Sequence, residues 1–423
     1  MMTIRSIRRF FFYAAAAAVA LTLTTVNTSP GQTPHEFDGE EYDTIPPANQ
    51  PTLARPTRLE LPIDRATPRQ TPKQHTGRIV DTLPANRPAL ARPTGRELLL
   101  QAYNQTHTAT ARADYDNIIA LCRRALGDRV SPTATSYGRQ LMSWAYNRRG
   151  ELIADTEGEH KALVEFQRAV QLDPTRWRAV HNRGVSYFSL GRSELAMSDF
   201  TRTIQLQPKF STAYFNRGEL RFEKSDLRGA VSDYDTAIRL GVEDSSAYEG
   251  RGYALLQLGQ HAAAVADFNM VIRFKPKDAG VHLSRGEAHA KLHRWEEAAR
   301  DFNQAIALDG GHTRAYERAA WLMATCPDAR FRQTKLAIEV ARKAIDLAGE
   351  TNHRNLNILA AAHANSGEFE KARLIQAKAI DTAPRAMTAD YRQSLRSFEQ
   401  ERPIRQAAAA QIGRKPGRRT SIR

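Results

Sequence analysis

Five glycines recur at one constant spacing: Gly150, Gly184, Gly218, Gly252 and Gly286. Twelve residues after each stands an alanine (Ala162, Ala196, Ala230, Ala264, Ala298), and four further on an aromatic (Phe166, Phe200, Tyr234, Phe268, Phe302). Three columns held in register over five periods tie the chain to a tandem array. Each period carries two stretches of helical apolar spacing joined by a short turn, often with glycine (Gly191, Gly259, Gly367). The small residues let two helices approach closely and the aromatic fills the space beside them. Pro174, Pro208 and Pro276 close their units, because proline cannot continue a helix. One helix pair cannot bury its apolar face alone, so neighbours must stack.

A period of about 34 residues with these columns resembles the tetratricopeptide repeat (TPR) family. Two features depart from it. Val242 and Gly310 stand where the closing proline is expected, and the first-helix Trp is mostly tyrosine (Tyr146, Tyr214, Tyr248, Tyr316). The resemblance implies an all-α fold, a TPR solenoid of helix pairs wound as a right-handed superhelix. Seven units fit: 143–176, 177–210, 211–244, 245–278, 279–312, 313–351 and 353–386. In the sixth, the step from Ala320 to Ala337 exceeds the glycine-to-alanine step of the other units by five positions. The extra residues lie in "ATCPDARFRQTK" (324–335), a joint where Pro327 stops one helix. The helices beyond this joint resemble the C-terminal pair of bacterial exported TPR proteins.

Upstream, residues 96–142 read as divergent helices covering the first unit. Tyr115, Ile118, Ile119, Cys122, Ala125 and Leu126 form one face, and Ser131-Pro132 reads as an N-cap followed by proline at the first helical position. Downstream, Tyr391, Leu395 and Phe398 make the apolar stripe of a capping helix, 387–402. A basic tail expected to be disordered, 403–423, ends the chain.

Residues 1–30 read as a signal peptide or an uncleaved anchor. Arg5, Arg8 and Arg9 precede an apolar run from Phe10 to Leu23, short for a membrane span of about 20 residues. The expected location is therefore exported: periplasmic, envelope-attached or secreted. Residues 31–95 read as a disordered Pro-rich linker, since residues 30–98 hold 12 of the 20 prolines. Within it "DTIPPANQPTLARPT" (43–57) returns as "DTLPANRPALARPT" (81–94), which serves as a spacer or as a docking peptide. The formal charge is +15, yet residues 99–386 hold 40 Lys and Arg against 34 Asp and Glu. Most of the surplus therefore lies in the flanks.

No phosphate loop, dinucleotide fingerprint or nucleophile elbow is present. His282, His289 and His293 are spaced as if on one helix face. His282 and His289 fall on packing columns, so they read as core or interface histidines before metal ligands. Cys326 ends a helix, where a thiolate is disfavoured, and Cys122 lies several units away. No catalytic residue, metal or cofactor is expected, and no small-molecule substrate.

In TPR arrays the first helices line the concave face, where family ligands usually lie. Columns 2, 5, 9, 12 and 13 there give Trp144, Asn147, Glu151, Phe188, Phe215, Glu219, Phe222, Glu249, Tyr253, Glu287, Glu317 and Trp321 as partner-binding candidates. The basic residues and asparagines of the carboxylate clamp are not supplied there. Such an aromatic and acidic groove suits an extended segment with apolar and basic side chains; alternatively the aromatics pack between units and the glutamates are solvated. The expected function is a non-catalytic protein–protein interaction scaffold of the cell envelope, with a protein or peptide in the concave groove. The alternative is a binder of anionic polymer or nucleic acid through the basic tails, with the solenoid as spacer.

Overall fold

A computed structural model describes residues 92–241 and 245–406. The signal or anchor, the Pro-rich segment up to residue 91, and the basic tail beyond Gln406 lie outside the described residues. Among the described residues there are seventeen α-helices, one 3-10 turn and no strand. No helix among them is long and apolar enough to cross a membrane. The chain divides into two compact units, one ending at Pro208 and one starting at Lys209.

The first unit contains α1 (Gly95–Gln105), α2 (Arg112–Gly127), α3 (Pro132–Glu157), α4 (Glu159–Leu172), α5 (Trp177–Ser189) and α6 (Ser193–Leu206). Thr94 opens α1 with a capping box: its hydroxyl accepts from the Glu97 N–H, and the Glu97 carboxylate accepts from the Thr94 N–H at 2.7 Å. Those bonds hold the Glu97 carboxyl below its ordinary range. Ser131 caps α3 through the Ala134 N–H, and Pro132 sits in the first turn, where its missing donor costs nothing. α3 then runs 26 residues, straight through the boundary at 142–143 expected between the divergent helices and the first repeat. No proline interrupts it, and it breaks only at Gly158, with φ 92°. Tyr115, Ile118, Ile119, Cys122 and Ala125 line the buried face of α2, against Leu98 and Leu99 of α1 and Leu141 and Tyr146 of α3. In that dry core burial pushes the Cys122 thiol up to about 12.

The second unit contains α7 (Ser211–Glu223), α8 (Leu227–Arg239), α9 (Ser246–Gln257), α10 (His261–Phe274), α11 (Ala279–Lys291), α12 (Trp295–Leu308), α13 (Thr313–Thr325), α14 (Thr334–Ala348), α15 (His353–Asn365), α16 (Phe369–Thr382) and α17 (Arg385–Glu399). Between α13 and α14 the inserted residues make a 3-10 turn, Ala329–Phe331. On α17, Tyr391 and Phe398 are buried and Leu395 is half-buried, as a capping helix requires.

The glycine column works by contact distance. A Cβ built on Gly184 would lie 2.9 Å from the Phe200 ring, and on Gly286 2.7 Å from Phe302. The aromatic packs against the bare backbone of the preceding helix, so the two columns are one contact. The turn between the helices uses a left-handed residue at a fixed place: Gly191, Gly259 and Gly367 have φ of 71°, 76° and 83°. Ser225 (φ 62°) and His293 (φ 58°) stand in the same column without being glycine. The expectation that three histidines share a helix face therefore fails at His293. α11 ends at Lys291, and the His293 ring meets Trp295 edge-on in the turn.

A further pair of columns locks each helix pair and was not read from the sequence. The arginine before each column glycine reaches the carboxylate before each column aromatic: Arg149–Glu165 and Arg183–Asp199 in the first unit, Arg217–Asp233, Arg251–Asp267 and Arg285–Asp301 in the second. The four aspartates are gripped by both Nε and Nη2, at 2.5–2.9 Å. Arg149, Arg217 and Arg251 also lie over the tyrosines three positions earlier, Tyr146, Tyr214 and Tyr248, at 5.0, 5.8 and 5.6 Å from the ring centroids. Arg251 further binds Asp235, and Arg285 binds Asn269, both on the second helix of the preceding pair. Burial raises the pKa of the Asp267 carboxyl, with the Arg251 fork opposing, and the Arg251 guanidinium is held above its ordinary range.

Asp267→Ala, which leaves a half-buried guanidinium without its main partner, is expected to cost about 2–4 kcal/mol, read as a lowered urea midpoint. A loss under half a kcal/mol would contradict the locking role assigned to this pair. A second expectation concerns acid. His181 of α5 is buried against Phe200, and desolvation pulls its pKa down to about 4. A folded pKa below the unfolded one means the unfolded chain takes up the proton first. Stability is thus full above pH 6.5 and declines as the pH falls towards 4, by roughly 3 kcal/mol in total. His181→Leu should flatten the fall in urea midpoint between pH 7 and 4.5; an unchanged slope would refute the assignment.

Candidate functional site

The twelve candidate residues fall into two environments. Asn147, Phe188, Phe215, Glu219 and Glu249 are buried, whereas Trp144, Glu151, Phe222, Tyr253, Glu287, Glu317 and Trp321 are half-buried. Phe215 is 2% exposed, packed with Ala230, Tyr234, Ala237 and Ala247. It belongs to the helix packing rather than to an open surface, because its ring enters the space beside Tyr234, with centroids 6.0 Å apart. Phe222 packs on the rim of the same cluster and stays partly open. The Tyr253 ring stands edge-on to Phe268, and its hydroxyl lies 3.5 Å from Ser284.

The expected acidic character is largely neutralised in place. In the first unit, Glu151 accepts from Arg148 at 2.9 Å, from Asn147 at 2.9 Å and from Asn182 at 2.8 Å. Asn182 also donates to Asn147, so α3 and α5 share one polar cluster. Arg178 stacks on Trp177 at 4.3 Å, and burial draws its pKa down while Glu151 opposes this. Asn182 was missed by the sequence reading, although it sits one step before the Arg183-Gly184 pair and so has a fixed place in the repeat.

In the second unit the Glu219 carboxylate accepts from the Tyr234 hydroxyl at 2.5 Å. Glu249 faces Lys275 at 3.4 Å. Glu287 is held by Arg314, through Nε and Nη2 at 3.0 Å each, and by Arg318 at 2.7 Å. Glu317 makes no ion pair among the described residues. Burial raises its pKa, and Arg318, Arg354 and Arg314 pull the other way. The surface is therefore one of fixed, paired charges interleaved with half-open aromatic rings. A ligand meets it without first having to order those side chains.

His282 and His289 are both buried beside the Arg285–Asp301 pair. The His282 Nε2–H donates to the Pro276 carbonyl at 3.0 Å, and its Nδ1 lies 3.6 Å from Asp301. Burial lowers the His289 pKa, with Asp301 opposing. Among the described residues no group of three or more His, Cys, Asp and Glu is placed to hold a metal ion. Cys326 is buried in the α13–α14 joint, and burial raises its thiol pKa. Arg330 is taken up by Asp328, and Arg332 donates to the carbonyls of Cys326 and Pro327.

Family models described as tetratricopeptide repeat match residues 178–210, 215–279 and 279–312. No curated protein matches the chain. Among solved structures, YrrB, titled a TPR protein with an unusual peptide-binding site, is 19% identical, covering 54% of this chain and 98% of its own, with a TM-score of 0.36. The structure titled for Pseudomonas aeruginosa pilF is 19% identical over 50% of this chain and 93% of its own, TM-score 0.42. A tetratricopeptide repeat protein from Parabacteroides merdae is 15% identical over 72% and 98%, TM-score 0.34. At such scores the likeness says nothing of partners. The matched segments lie on the helix pairs in which glycine, alanine, aromatic and arginine–carboxylate columns recur, and the chain is a tetratricopeptide repeat protein.

Proposed function

We propose that this protein is a non-catalytic scaffold of the cell envelope that holds an extended peptide segment of a partner along the first helices of its repeats. One observation carries the reading. On α7, α9 and α11 the half-open rings of Phe222 and Tyr253 alternate with carboxylates whose side chains are already fixed by Tyr234, Lys275, Arg314 and Arg318. Apolar anchors between fixed polar groups suit a chain in extended form, whose own N–H and C=O groups need partners at intervals. The proposed envelope location rests on the basic n-region and apolar run of residues 1–30. A second reading draws on Arg414, Lys415, Arg418, Arg419 and Arg423, which have no acidic residue among them: the tail binds an anionic polymer while the repeats act as spacer.

A photo-crosslinking residue at position 222 or 253, in intact cells, is expected to capture the same partner from both positions. Phe222→Ala with Tyr253→Ala should lower the affinity for that partner by at least tenfold while the protein stays folded, the half-buried rings costing about 1–3 kcal/mol of stability together. Phe215→Ala should instead cost about 3–5 kcal/mol of stability, as a buried phenylalanine does. Capture that is absent, or undiminished in the double variant, sinks the peptide reading. Truncation after Gln406 separates the alternative: only that reading expects salt-sensitive retention on the envelope to vanish with the tail.

A further inference from the structure

The turn after the first helix of each pair normally folds back and caps that helix with backbone donors. In the second repeat, the Gly191 N–H donates to Phe188 and the Arg192 N–H to Tyr187. The five-residue insertion after α13 keeps half of this arrangement: the Gln333 N–H donates to Met323 as Arg192 does to Tyr187, but the bond made by Gly191 has no counterpart. Cys326 is extended and Pro327 has no N–H; Arg332 takes the carbonyls of Cys326 and Pro327, and those of Ala324 and Thr325 get no donor from the joint. Two acceptors at the negative end of a helix are thus left for groups from elsewhere in the chain, an edge suited to backbone N–H groups and cations.

The last described residues lie on that edge. Glu401 is left-handed (φ 53°) and stands one repeat period after Gly367, so α17 ends in the turn of an eighth, incomplete repeat. No helix follows up to Gln406. The Gln406 N–H donates to the Thr325 carbonyl at 2.8 Å, its Nε2 to the Thr325 hydroxyl at 2.9 Å, and Arg405 reaches the Ala324 carbonyl. Ile404 packs on a cluster of Ala324, Ala360, Ala361, Ala364 and Phe398, beside Trp321. Ala361 and Thr325 sit in columns that carry Glu287 and Lys291 one or two repeats earlier; here they are small and fully covered. The segment on top is itself shallow: Arg402 and Arg405 are exposed, and Pro403, Ile404 and Gln406 are half-buried.

We propose that the carbonyl edge of α13 and the alanine cluster beside it form a second peptide-docking site. It recognises an extended Pro-aliphatic-Arg-Gln segment, Pro403–Gln406 is its resident occupant, and a partner segment of the same chemistry enters by displacing it. The aliphatic side chain fills the alanine-lined recess, the arginine takes the helix-end carbonyl, and the glutamine supplies the two donors that pair with Thr325. The site does not depend on the surface around Phe222 and Tyr253 holding anything, and an incoming segment must compete with a resident tethered at high effective concentration.

The probe is a fluorescein-labelled synthetic peptide with the sequence of residues 399–410. Full-length Ile404→Asp is expected to bind it at least tenfold more tightly than the intact chain, and the same peptide carrying the Ile404→Asp change should not bind. Equal binding to both chains, or binding to neither, overturns the proposal. Hydrogen exchange on the intact chain decides independently if the variant does not fold. Amides of residues 402 and 404–406 are expected to exchange at least a hundredfold faster than those of α15, which marks a segment that lifts off alone. Equal protection would make it a permanent part of the core and overturn displacement. Phe222→Ala with Tyr253→Ala should leave peptide binding by the Ile404→Asp chain unchanged, so failure at one surface is not mistaken for failure at the other.

Discussion

The contact on which each repeat depends is a bare glycine backbone against an aromatic ring, sixteen positions on. It brings two helices closer than side chains would otherwise allow, and the alanine column keeps the rest of that interface thin. Everything else in the pair follows from this closeness. The arginine just before the glycine and the carboxylate just before the aromatic are carried into contact because their neighbours are. A two-point fork between them is then possible in every regular repeat, without a long side chain having to search for its partner. The tyrosine three positions before most of these arginines gives the guanidinium a flat surface to rest on.

That economy leaves less free surface than a column count suggests. Phe215 shares its column with Asn147 and Glu249, yet its ring goes into the packing while those polar groups are tied to neighbours. The glutamates of the first helices are likewise not a run of unpaired negative charge. Each of Glu151, Glu219, Glu249 and Glu287 has a cation or donor of its own. What the surface offers a ligand is therefore shape and fixed hydrogen-bonding groups more than net charge. Long-range attraction of a basic partner is correspondingly weak at physiological ionic strength.

The parts of this legible in sequence were those with a strict period. Helix pairs, the glycine–aromatic contact, the Ser131 cap and the capping face of Tyr391 and Phe398 all followed from spacing and capping chemistry. The arginine–carboxylate columns had the same period and were open to the same reading, but charged residues one step from a packing column look like ordinary solvated surface. Two failures have a different cause. The repeat period put a domain boundary at 142–143, yet α3 runs through it, since a helix stops only where its backbone is stopped. His293 was put on a helix face by counting residues, although Gly191, Gly259 and Gly367 stand in that column of other repeats and so announce a left-handed turn.

The sixth repeat shows why a break in period matters more than an odd residue inside it. "ATCPDARFRQTK" draws notice for its cysteine, yet the Cys326 thiol is buried in the joint and raised in pKa by that burial. The consequence of the stretch lies in the backbone. Five added residues leave the returning segment one backbone bond to the end of α13, from Gln333 to Met323, and Pro327 removes one more donor. The remaining carbonyls of that helix end must be satisfied by other groups. Arg332 does so from within the joint, and Arg405 and Gln406 do so from far along the chain, beyond the last full repeat. The same insertion that ends the regular array therefore creates a place in the second unit where the repeats hold an extended segment, and the segment they hold is the protein's own.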